Sequence, residues 1–139
     1  MPRFMMLMIP NISDEEYESG PTAEDAAAMN TFNESLTQAG VLLALDGLHP
    51  ASKGARVTTS GGKKTVTDGP FTEAKELVGG YWVIDVKSKD EAVEWATRCP
   101  LDEGDTIEVR QVAELSDFSD EVQQVSGLSQ EPPAQTQAR

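Results

Sequence analysis

The sequence predicts a single α+β domain. Three observations carry that reading: two capped stretches with helical spacing, several short apolar or β-branched runs bounded by Gly, Pro and Asn, and a length of 139 residues, within the usual range for one domain.

The apolar run Phe4 to Ile9 reads as a buried first strand, closed by Pro10 and Asn11. Ser13 and Glu16 have the spacing of a capping box and predict a short helical turn, and Gly20-Pro21 ends it. Thr22 with Asp25 is a second start signal, Met29, Phe32, Leu36 and Ala39 keep one apolar stripe, and Gly40 suits the residue after the helix end. The first long helix therefore spans about Thr22 to Ala39. Val41 to Leu45 is a second strand, ending near His49 in the turn-rich segment Asp46-Gly47-Leu48-His49-Pro50.

Two β-branched runs, Arg56 to Thr59 and Lys64 to Thr67, flank Ser60-Gly61-Gly62-Lys63, the signature of a hairpin. The turn Asp68-Gly69-Pro70-Phe71 follows. Leu77 to Val86 is the next strand, with Gly79-Gly80 marking a bulge or a close backbone approach. Ser88 and Glu91 cap a second helix, Lys89 to about Arg98, ended by Pro100, and Thr106 to Val112 alternates as a half-exposed last strand.

With the hairpin set aside, the order is strand, helix, strand, strand, helix, strand. That is the ferredoxin-like βαββαβ pattern with an inserted β-hairpin. Its helices cover one face of an antiparallel sheet, so the bare face predicts a homodimer. The domain is expected over 1–114. A C-terminal extension over 115–139 would hold a short helix on Leu115, Phe118, Val122 and Val125, then a polar, Gln- and Pro-containing tail.

Composition narrows the function. Eleven Lys and Arg against 24 Asp and Glu leave a net charge of −13, which repels phosphate backbones and anionic membrane surfaces, so no nucleic-acid or membrane partner is expected. The opening apolar run is too short to span a bilayer or to serve as a secretory leader. Cys99, the sole cysteine, cannot form an internal disulfide and suits a reducing, cytoplasmic setting, where it reads as a small buried apolar residue. One histidine and one cysteine argue against a transition-metal site, and no cofactor is expected. A phosphate-cradling loop and a nucleophile elbow are both missing, and Gly61-Gly62-Lys63-Lys64 lacks the helix that would make it a phosphate loop.

The run Val66-Thr67-Asp68-Gly69-Pro70-Phe71-Thr72-Glu73-Ala74-Lys75-Glu76-Leu77 resembles the signature of the YCII-related family, in the branch named for its Asp-Gly-Pro-Phe motif. Gly80-Tyr81-Trp82, Glu91-Ala92-Val93-Glu94-Trp95-Ala96, Arg98-Cys99-Pro100 and Glu108-Val109-Arg110 extend the resemblance over Met1 to about Val112. It implies a ferredoxin-like chain assembled as a dimeric α/β-barrel similar to that of muconolactone isomerase. The wider family contains a dechlorinating enzyme with a proposed His and Asp active site, and some members of the branch are encoded near extracytoplasmic-function sigma factors.

On that resemblance the catalytic candidates are His49 and Asp68. A neutral imidazole oriented by a carboxylate is a competent base near neutral pH and would move a proton on a small cyclic or carbonyl-bearing substrate, as in a lyase or isomerase. The candidate binding residues are Gly69, Pro70, Phe71, Lys75, Tyr81 and Arg110, with Lys75 or Arg110 placed to hold an anionic group. Each motif residue also has a structural use: Asp68 suits a turn cap, Gly69 and Pro70 steer the chain, and Phe71 suits a core. His49 equally suits a backbone hydrogen bond at a strand end. The alternative function is a non-catalytic binding or regulatory dimer whose acidic surface meets a basic protein, such as a transcription factor of a sigma-factor system.

Overall fold

The computed structural model describes residues 1–69 and 77–125, and shows a mixed α+β chain with antiparallel sheets. Pro70, Phe71 and Lys75 lie outside the described residues, as does the chain from 126 onward. In order, the elements are β1 (Arg3–Ile9), α1 (Asp14–Glu18), α2 (Ala23–Gln38), β2 (Leu42–Gly47), β3 (Ala55–Ser60), β4 (Lys63–Asp68), β5 (Gly80–Asp85), α3 (Lys89–Thr97), β6 (Thr106–Gln111) and α4 (Asp120–Val125). Single 3-10 turns occupy Ala51–Lys53 and Leu115–Asp117.

Three helix starts are set by local chemistry. Ser13, Thr22 and Ser88 each sit in extended backbone and accept a bond from the backbone N–H three residues on, and each first turn is acidic, which complements the positive end of the helix. The hairpin turn places Gly61 at φ 57° and Gly62 at φ 78°, the left-handed pair that matches the twist of the flanking strands.

Four strands form one sheet in the order β2-β5-β1-β6, every neighbour antiparallel, and this order is compatible with a ferredoxin-like arrangement. The strand β5 starts at Gly80, three residues later than the sequence suggested, and Gly79 just before it donates its N–H to Met8 O at 2.7 Å and accepts from Leu48 N–H. The irregular register falls in β2, between Leu42 and Ala44, while the two glycines serve close approach: a β-carbon on Gly80 would stand 2.9 Å from Asp46 O.

Alternation divides the sheet. Phe4, Met6, Trp82, Ile84 and Val86 face the helices and bury against Phe32, Leu36, Ala92 and Trp95, forming the core with Val41 and Cys99. Fully buried side chains such as Met6 and Leu36 contribute about 1.5–3 kcal/mol each by leaving water. The opposite positions, Met5, Leu7, Val83 and Ala44, form the other face, and no described helix has a core contact there.

The strands β3 and β4 pair only with each other, in a separate two-stranded sheet, and every residue of both is exposed. Among the described residues no helix is long and apolar enough to cross a membrane.

Candidate functional site

At the ends of β1 and β2 and the start of β5, the chain opens a cleft of about 1260 Å³. Its floor is apolar: Met8, Met29, Leu45 and Trp82 line it. Strand alternation presents Trp82 and Leu45 on the helix side of the sheet, where they are register partners. The Trp82 ring is held twice, edge-on to Phe32 with centroids 5.7 Å apart, and by its Nε1–H donating to Asn33 Oδ1 at 2.8 Å.

The rim is polar and strongly acidic. Glu16, Glu18, Asp25, Asp46, Asp102 and Asp105 line the cleft against one lysine, Lys53. Part of this acid is structural: Asp105 accepts from the backbone N–H of Asn11 and of Asp102, and Glu18 accepts from Ser52 Oγ. The summed field still favours neutral or cationic ligands over anions.

His49 lies on the lip of this cleft, exposed. Its segment is fixed by the residue before it: Leu48 N–H donates to Gly79 O at 2.9 Å, and Leu48 O accepts from the Tyr17 hydroxyl at 2.5 Å. The same hydroxyl lies 2.8 Å from Gly79 O, so one proton is shared between the carbonyls of two strand ends. Burial pushes the Tyr17 phenol above its ordinary value of 10.0. Tyr17 therefore positions the His49 loop. Sequence reading passed over it; the available signal was an aromatic residue alone in the acidic helix Asp14–Glu18, where solvation has no use for a ring.

Asp68 is the last residue of β4, opposite Ala55, exposed, and not among the residues lining the cleft. The corner beside it nevertheless packs on the segment that follows His49. Gly69 N–H donates to Gly54 O at 3.0 Å, and a β-carbon on Gly69 would overlap Ala51 O and sit 2.6 Å from Ala51 C. His49 and Asp68 thus belong to two segments in direct backbone contact, with His49 turned to the cleft.

Tyr81 also lines the cleft, its hydroxyl donating to Asp46 Oδ2 at 2.8 Å, a bond that raises its pKa. Arg110 is exposed on the edge strand β6, opposite Met5, and does not line the cleft. No group of three or more His, Cys, Asp and Glu arranged to hold a metal occurs among the described residues.

An uncharacterized protein of Rhizobium meliloti (strain 1021) is 35% identical over 68 residues, which cover 49% of this chain and 55% of that protein. The aligned segment thus spans about half the length of the curated relative it matches. The sequence profile of the YCII-related domain matches residues 3–116. Matched over most of its length, from the first strand through the last, the chain belongs to the YCII-related family.

Proposed function

We propose that this chain is a small-molecule enzyme of lyase or isomerase type, working by proton transfer from the cleft, with His49 as the base and Asp68 as its positioning carboxylate. The observation that carries this is the placement of His49, the chain's single histidine, on the lip of an apolar-floored cleft, on a loop pinned by Tyr17. Contact between the Gly69 corner and Ala51 supports the assignment of Asp68, because it brings the two segments together. Tyr81, Gly69, Pro70, Phe71 and Lys75 would contribute binding contacts, and Arg110 would act on the far side of the sheet.

The acidic rim selects a neutral or cationic substrate, such as a small cyclic ketone or lactone with an acidic C–H. His49 Nδ1 or Nε2 would take that proton and return it to the neighbouring carbon, while Tyr81, its hydroxyl proton held by Asp46, keeps its oxygen as an acceptor at the cleft edge. A ferredoxin-like chain of the Asp-Gly-Pro-Phe branch, over 1–114, would pair through its open sheet face into a dimeric barrel in the cytoplasm, with 115–139 as an extension. The apolar content of that face, Met5, Leu7 and Val83, supports pairing.

Deuterium uptake tests the reading without knowledge of the product. A panel of small ketones, lactones and their amino derivatives is incubated with protein in D2O and followed by NMR. Wash-in that falls by about 100-fold or more in both His49→Asn and Asp68→Asn is expected of a base with its orienting carboxylate. Wash-in that survives both substitutions removes His49 from the chemistry.

A second reading, a regulatory dimer that binds a basic protein of a sigma-factor system, draws support from the net charge of −13. It predicts a stoichiometric complex with such a partner that persists in His49→Asn.

A further inference from the structure

The hairpin of β3 and β4 has the opposite charge from the body that carries it. The two strands carry Arg56, Lys63 and Lys64 against one carboxylate, Asp68, at the base farthest from the tip, and from Ala51 to Thr67 there are four cations and no acidic residue. A two-stranded ribbon is marginal on its own in water. Yet this one is rich in β-formers, and its cross-strand pair Val57 and Val66 is left 64% and 66% exposed. By alternation Lys64 shares the face of Val57 and Val66, which makes that face apolar in the middle and cationic toward the tip.

We propose that the hairpin is an arm that docks on a second copy of this chain, laying Val57 and Val66 against the apolar floor of that copy's cleft and Lys64, on the same face, against its acidic rim, with Lys63 beside it at the tip. The inference rests on the cleft being a recognition site, and is independent of whether His49 is catalytic. Charge and polarity match on both counts: the rim is carboxylate-rich, and Met8, Met29 and Leu45 offer the apolar surface that a phosphate backbone lacks. The arm's root supplies the geometry. Lys53 lines the chain's own cleft, and β3 starts two residues later, so the arm leaves from the cleft lip. Six residues of strand then carry the tip about 20 Å away. In a two-fold pair that sets the two lips within that reach, an arm rooted at one would cross the other, and the exchange would be reciprocal. Each cleft would then receive Lys64 from the other copy beside its own His49, with Lys63 at the mouth, so the site is incomplete in one chain.

Mixed-isotope cross-linking tests this on the full chain. Protein labelled with 15N is mixed with unlabelled protein, treated with a zero-length carbodiimide, digested and analysed by mass spectrometry. The expected result is heavy–light peptide pairs joining Lys63 or Lys64 to Glu16, Glu18, Asp25 or Asp46. In sedimentation, Lys63→Glu with Lys64→Glu weakens self-association by about tenfold or more at low salt, and adding Glu16→Lys and Asp25→Lys to the same chain restores it. These hairpin positions are exposed, so the chain folds. The proposal is overturned by cross-links confined to single chains, by inter-copy links that land outside the cleft, by unchanged association of the charge-reversed arm, or by an arm that binds heparin without self-association. Loss of deuterium wash-in would leave the cross-links standing, and the reverse also holds.

Discussion

Replacing Gly69 by alanine should destabilise the chain, and the structure says why and by how much. Gly69 does not have the left-handed φ that favours glycine, so conformational preference alone would make alanine stabilising by roughly 0.4–1 kcal/mol, through the stiffer unfolded chain. Packing opposes this. The new methyl would overlap Ala51 O and stand 2.6 Å from Ala51 C and 3.3 Å from Ser52 N, all of them atoms near or in the turn that follows His49. Overpacking of this kind costs about 1–3 kcal/mol. Separating the two segments also strains the 3.0 Å bond from Gly69 N–H to Gly54 O, adding about 1 kcal/mol. The clash wins, and Gly69→Ala should lose roughly 1–3 kcal/mol net, lowering Tm by about 3–10 °C for a chain of this size. Urea titration followed by Trp82 and Trp95 fluorescence measures it. Gly54→Ala is the control, since its β-carbon would meet Ala51 O at an ordinary 3.5 Å and should change stability by less than about 0.5 kcal/mol. Gly69→Ala as stable as the parent, or equal losses for the two variants, would refute the close-approach argument.

Tyr17→Phe removes a hydroxyl shared by Leu48 O and Gly79 O and should cost about 1–2 kcal/mol near neutral pH, with faster amide exchange at Leu48 and His49. Its pH dependence has a definite sign: because the folded phenol sits above 10.0, its contribution is intact below that pH and is lost as the pH rises through the raised value. Alkaline stability curves of Tyr17→Phe should therefore fall less steeply above about pH 10 than those of the parent. Cys99 is buried, and its thiol is pushed up to about 12 by desolvation, with the nearby Asp105 adding to the rise. An aromatic disulfide reagent at about pH 8 should leave the folded chain untouched and titrate one thiol on unfolding; rapid labelling of the native protein would contradict the burial.

Much of the local structure was legible because it is decided by neighbours in the chain. Ser13, Thr22 and Ser88 cap helices wherever they precede an acidic first turn, since donor and acceptor are three residues apart. Gly61-Gly62 turns the chain because the left-handed pair it needs is open to glycine without reference to the rest of the fold. The apolar run Phe4 to Ile9 located a strand but not its buried face: it reads as continuous in sequence, whereas in the sheet only Phe4 and Met6 of it are fully buried, because helices cover one side alone.

The candidate site was legible only in part. His49 stood out as the single histidine in a turn, but its position on the cleft lip depends on β2, β5 and α1 meeting, and on a tyrosine 31 residues from the carbonyl it bonds. Gly69 could be read as a turn residue; that it is a contact residue, abutting a carbonyl 18 positions earlier, appears only when β4 returns alongside β3. The sequence by itself therefore determined the caps and the hairpin turn, which are settled within a few residues, and the acidic charge, which is a sum over composition. Tertiary structure alone decided the strand order, the cleft, the role of Tyr17 and the exposure of the basic hairpin, because each depends on long-range packing that no local pattern encodes.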